Sequence, residues 1–129
     1  AVKWVSDHGS AWRLEVASIR EALAGGLPVI LVTGGPLVLD RDAATGAALG
    51  TRLRAVLART PAVPRHYVLA LPWRTIGQDD PGEGSVHIYE PSSGSVRALD
   101  LTTPRDPHRP GPRELGGWPR VIAVIAPEN

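Results

Sequence analysis

Val86-His87-Ile88-Tyr89-Glu90-Pro91-Ser92-Ser93-Gly94-Ser95-Val96-Arg97-Ala98-Leu99-Asp100-Leu101 is the stretch that decides the fold. Two short runs, Val86 to Glu90 and Ser95 to Leu101, flank a Pro-Ser-Ser-Gly connector, the pattern of a β-hairpin with a short glycine-containing turn. On the first run, residues 86, 88 and 90 share one face of a strand, so Glu90 points with Val86 and Ile88 while His87 and Tyr89 point away.

Upstream of the hairpin, His66 to Leu71 reads as a strand stopped by Pro72, and a loop rich in Gly, Asp and Pro runs from Gly77 to Ser85. Pro28 to Thr33 is an apolar, β-branched run closed by Gly34-Gly35-Pro36, which predicts a buried strand. Downstream, Arg120 to Ala126 is a last apolar strand. The stretch between, Thr102 to Gly117, holds Pro104, Pro107, Pro110 and Pro112 and is expected to form neither a helix nor a central strand. Helical spacing appears at the other end. Trp12, Val16, Ile19 and Leu23 form one stripe of a helix over Ala11 to Ala24, with Ser10 placed as its N-cap and Gly25-Gly26 as its stop. A second helix is expected from Leu49 to Arg59, ended by Thr60-Pro61. The expected class is therefore α+β: an N-terminal helix on a mostly antiparallel sheet of about five strands.

At 129 residues the chain is expected to be one domain, residues 1–129. Cys is absent, which excludes disulfides, zinc knuckles, iron–sulfur clusters and a thiol nucleophile in this sequence. Fourteen basic against 13 acidic residues leave a net charge of +1, too small a field to argue for nucleic acid or an anionic membrane surface as partner. Apolar stretches such as Leu27 to Val32 are far short of the ~20 residues that span a bilayer. The first ten residues lack the pattern of a signal peptide. Compartment and oligomeric state stay open.

Other motifs fail on spacing or context. Gly46 and Gly50 with Thr51-Arg52 have the wrong spacing for a phosphate loop and Arg where lysine belongs. His8, His66, His87 and His108 show no zinc-like spacing, and no metal or cofactor is expected. Arg105, Arg109, Arg113 and Arg120 are interrupted by Asp106 and Glu114 and lack an aromatic ladder, so they read as a solvated Pro-rich loop.

Three stretches remain. His8-Gly9-Ser10-Ala11-Trp12 opens the helix, His66 opens a strand, and Glu90 ends the next strand before Pro91. Taken singly, each has an ordinary reading: Ser10 as a cap or, less simply, a nucleophile, His66 as a strand residue, Glu90 as a turn residue, Trp12 and Trp73 as core aromatics. Together, in this order, they resemble the papain-like cysteine peptidases, especially the compact bacterial members such as the bacteriocin-processing peptidases. In that family a Gly-Ser-Cys-Trp motif opens the central helix, a catalytic histidine starts a later strand, and an Asn, Asp or Glu on the next strand orients it. Gly9-Ser10-Ala11-Trp12 matches except at the nucleophile; His66 follows Ala11 by 55 residues and Glu90 follows His66 by 24.

The resemblance implies a papain-like fold and a cysteine peptidase, hydrolysing a peptide or isopeptide bond through a Cys-His-Glu triad placed at Ala11, His66 and Glu90. The implied partner is a peptide or protein substrate. The chemistry is consistent with such positions: a helix N-terminus lowers a thiol's pKa, a histidine takes its proton, and a carboxylate fixes the imidazole. Ala11 carries no nucleophile, so the chain as written is inactive by this route. Two explanations stay open, a Cys→Ala change that silences an enzyme and a natural domain that keeps only a peptide groove. The same triad would serve a glutamine deamidase or acyltransferase. No Gln precedes Ala11 to supply a second oxyanion donor; Ser6, Asp7 and His8 are the nearby polar side chains. A third class is an unrelated α+β domain of an oligomer, with Val121 to Ala126 as an interface strand; it requires His66 and Glu90 to lie far apart.

Overall fold

The N-terminal apolar stripe does form a helix. In the computed structural model, which describes residues 1–36 and 62–127, helix α1 spans Gly9–Ala24 and buries Trp12, Val16, Ile19 and Leu23. It begins two residues before the expected start. The residue ahead of it is the extended His8, which makes no side-chain cap bond, so Ser10 lies inside the helix and is not its N-cap. Gly9 makes the turn into the helix with a φ of 77°, a left-handed conformation that a side chain would strain. The C-terminus closes as Gly25-Gly26 predicts. The Gly26 N–H donates to the Leu23 carbonyl at 3.0 Å and the Leu27 N–H to the Ala22 carbonyl at 3.0 Å, the paired bonds of a glycine-terminated helix end.

Six strands are described: β1 Val2–Trp4, β2 Val29–Gly35, β3 Val63–Leu71, β4 Ser85–Glu90, β5 Ser95–Asp100 and β6 Arg120–Ile125. They form one sheet in the order β1-β6-β2-β3-β4-β5, with every neighbouring pair antiparallel. The α+β class holds, with one strand more than expected. The extra strand is β1, three exposed residues paired only to β6, too short to show an alternating pattern. The expected helix at Leu49 to Arg59 lies outside the described residues, as does the Gly46–Arg52 pattern. Strand β3 starts at Val63, so His66 is its fourth residue and does not open it. The register between β2 and β3 slips at Thr33/Gly34, where Thr33 faces His66 and Gly34 faces Pro64. That bulge lets a strand contain Pro64, which has no N–H to give the ladder. The Pro-rich stretch after β5 is irregular but for a single 3₁₀ turn at Arg113–Leu115, begun after Pro112.

Cross-strand partners point to the same face. Val29, Leu31 and Thr33 of β2, Val68 and Ala70 of β3, Val86, Ile88 and Glu90 of β4 and Val121 of β6 are all buried, and the α1 stripe joins their aliphatic members in one core. Each such aliphatic side chain contributes about 1.5–3 kcal/mol on removal from water. Two polar ties anchor α1 to the sheet end. The Trp12 indole N–H donates to the Leu101 carbonyl at 2.7 Å, and Arg20 donates to the Ser85 carbonyl at 2.6 Å and to both Asp80 carboxylate oxygens at 2.8 and 3.0 Å. Among the described residues no helix is long and apolar enough to cross a membrane.

Candidate active site

Period-two alternation turns Glu90 toward the core with Val86 and Ile88, leaving the residue 4% exposed. A buried carboxylate must find donors, and the turn after it supplies them. The Ser92 N–H donates to Oε1 at 3.0 Å, the Ser92 hydroxyl to Oε1 at 2.6 Å and the Ser93 N–H to Oε2 at 2.8 Å. Pro91 starts that turn, and the Gly94 N–H closes it on the Glu90 carbonyl at 2.8 Å with a left-handed φ of 69° at Gly94. Burial pushes the Glu90 pKa up, but the Ser92 hydroxyl and N–H, with the bonds from Ser93 and His66, outweigh it and bring it from 4.5 down to about 2. Glu90 is therefore an anion at neutral pH.

His66 stands on the same face of β3 as Val68 and Ala70. Its Nε2 lies 2.5 Å from Glu90 Oε1 and 3.4 Å from the Ser92 hydroxyl. An ionised Glu90 can only accept, so Nε2 carries the proton and Nδ1 of the neutral ring holds the lone pair. Among the described residues no hydrogen bond engages Nδ1. The imidazole is 21% exposed, enough to be reached. Ser92 is not a serine nucleophile activated by this base: its hydroxyl donates to Glu90 and sits beside the nitrogen that already faces the carboxylate.

Thr33 and the 3₁₀ turn complete the surroundings of the ring. Thr33, directly across the ladder from His66, is fully buried and donates its hydroxyl to the Leu115 carbonyl at 3.1 Å. The next residue, Gly116, lies against the imidazole, close enough that a Cβ there would stand 2.8 Å from Nε2 and closer still to Cδ2.

Ala11 is exposed on the first turn of α1. A cleft of about 640 Å³ opens at this helix start, walled by Asp7 to Ser10, Trp12, Arg13, Thr102, Pro104 and Arg105 and by Pro119 and Arg120. The wall therefore includes both chain neighbours of Ala11 and neither His66 nor Glu90. The segment 115–120 links the two places: Gly116 touches the His66 ring, and Pro119 and Arg120 wall the cleft. Thus His66 and Glu90 are brought into contact, and no contact joins Ala11 to them.

Asp7, four residues before Ala11, is an acceptor already engaged. Its carboxylate takes the Val121 N–H at 2.7 Å and Arg105 at 2.7 Å, with Arg120 at 3.5 Å. Arg105, expected in a solvated loop, is in fact largely buried by this bond and by its donation to the Pro119 carbonyl at 2.7 Å. His87 points away from Glu90 as the alternation predicts and contacts the Asp79 carbonyl at 3.0 Å. Sequence reading missed Ser92, Ser93, Thr33 and Gly116. The first two had a signal, since short polar residues two and three positions after a carboxylate commonly fold their N–H groups back on it. Thr33 and Gly116 had none, because only the pairing of distant strands brings them to His66.

The requirement of an unrelated domain, that His66 and Glu90 lie far apart, is overturned by their hydrogen bond. Searches against known protein families, characterised proteins and solved structures find no match to this chain, so the site's own geometry is what its function must be read from.

Proposed function

We propose that the chain is a papain-like thiol hydrolase domain whose acyl-transfer centre is built on His66 and Glu90, silent in this sequence because Ala11 stands at the nucleophile position. One observation carries the reading: the Nε2–Glu90 bond leaves Nδ1 as the sole basic nitrogen of the ring, facing away from a carboxylate that stays ionised. Such a pair takes a thiol proton on Nδ1 as the sulfur attacks a carbonyl. The imidazolium, steadied by Glu90, then gives that proton to the departing amine, and the same nitrogen deprotonates the water that releases the acyl group. Peptide or isopeptide hydrolysis and glutamine deamidation share these steps.

The match of Gly9-Ser10-Ala11-Trp12 to the family's helix-opening motif is what assigns the thiol to residue 11. Asp7, four residues before Ala11, accepts from Val121, Val121 pairs with Thr33, and Thr33 pairs with His66, so the chain leading into α1 is fastened to a residue two strands, roughly 10 Å, across the sheet from His66. The first-turn N–H groups of a helix favour a thiolate.

The test is Ala11→Cys, with the rate of alkylation by iodoacetamide followed against pH. The expected result is half-maximal reactivity well below the ordinary thiol value of about 8.5, lost when His66→Ala is added. A folded variant whose introduced thiol titrates normally and ignores His66→Ala overturns the reading. A peptide-binding domain without catalysis, the second reading that the missing nucleophile favours, predicts no gain of turnover from Ala11→Cys.

A further inference from the structure

We infer that Gly116, pinned by Thr33, is the positioning residue that sets the rotamer of the His66 imidazole and seals its Nε2 edge, so that only the Nδ1 edge is open to a substrate or nucleophile. The ring's Cδ2–Nε2 edge is closed by three groups: Glu90 at 2.5 Å, the Ser92 hydroxyl at 3.4 Å and the Gly116 backbone, where a Cβ would come 2.8 Å from Nε2 and 3.1 Å from Cγ. Gly116 has a φ of 72°, so glycine is favoured there for conformation as well as for space.

The turn that carries it is braced internally. Leu115 and Gly117 donate N–H groups to the Pro112 carbonyl at 3.0 Å, and Gly116 donates to the Arg113 carbonyl at 2.9 Å. It is fastened to the sheet by the Thr33 hydroxyl on the Leu115 carbonyl at 3.1 Å. Thr33 is also the residue that faces His66 across the ladder. One side chain thus fixes both the floor beside the histidine and the turn above it. Directionality follows: a base that can be approached only from Nδ1 cannot spend its lone pair on the Glu90 side.

This deepens the proposed function by naming what aims its base, but its readout needs no nucleophile. The thiol experiment can fail while this one succeeds, and the reverse. The experiment is imidazole ¹⁵N NMR on the histidine-labelled full chain at mildly alkaline pH, with the His66 signals assigned by His66→Gln. The expected result for the unaltered chain is a single Nε2–H tautomer with a downfield Nε2–H proton. Gly116→Ala should abolish that proton signal and average the two nitrogen shifts, and Thr33→Val should average them in part. Gly77→Ala places the same left-handed strain (φ 70°) where nothing lies within 4 Å and should leave the His66 signals unchanged. Retention of the single tautomer in folded Gly116→Ala overturns the inference, and so does an equal loss in Gly77→Ala. If Gly116→Ala does not fold, Thr33→Val decides alone, and an unshifted tautomer there overturns it.

Discussion

At the scale of single residues, the decisive object is a carboxylate out of water whose every bond is made within three positions along the chain, apart from the one to His66. The same device recurs at Asp80, Asp100 and Asp106, which accept N–H groups from Gly82, Thr102 and His108 at 2.9, 2.8 and 2.9 Å. Only Glu90 among these four is also buried and faced by an imidazole. Its lowered pKa makes a pH-dependent contribution to stability. The folded value of about 2 lies below the unfolded 4.5, so the contribution is complete above pH 4.5 and is lost as pH falls toward 2. Glu90→Gln is therefore expected to be less stable by roughly 1–2 kcal/mol near neutral pH, with the gap closing in acid. Urea denaturation across that pH range measures it, and a gap that does not change with pH would contradict the assignment.

At the scale of elements, the start of α1 is held by a charge pair that the sequence hides. Asp7 and Arg105 are separated by most of the chain, and both are largely buried where they meet, with side chains 6% and 13% exposed. Removing Asp7 strands a guanidinium and orphans the Val121 N–H, so Asp7→Ala is expected to cost about 3 kcal/mol. Asp7→Ala and Arg105→Ala together should cost clearly less than the sum of the two single changes, and a double-mutant cycle by thermal or urea unfolding reads this directly. Additive losses would show that the pair does not act as a unit. Further along the helix, Arg20 spans Ser85, Asp80 and the face of Trp73, 5.2 Å from the ring centroid, and so ties the loop before β4 to α1.

At the scale of the whole molecule, protection should follow position in the sheet. Strands β6, β2, β3 and β4 are flanked on both sides, whereas β1 is a three-residue edge with Val2 and Trp4 exposed. Amide hydrogen exchange is expected to be slowest at Leu31, Val68 and Ala123 and near the fast limit in β1; equal protection in β1 would refute this ordering. The hairpin, the α1 stripe and the aliphatic strands were legible in the sequence because alternation, helical spacing and turn residues are local properties, written in neighbours. For the same reason the facing of Glu90 toward the core, opposite to His87, was readable from strand alternation alone. The sixth strand, the His8-Gly9 helix start, the place of Arg105 and the turn over His66 were not. Each depends on which distant segments pair: β1 on β6, Asp7 on Arg105 and Val121, Thr33 on Leu115 and His66. What the sequence by itself determined is which residues could be a base and its carboxylate, since these are matters of residue type and face. Only the tertiary structure decided that they meet at 2.5 Å, on the Nε2 side of the imidazole, because hydrogen bonds across the sheet are set by strand order and register, and neither is encoded in any single stretch.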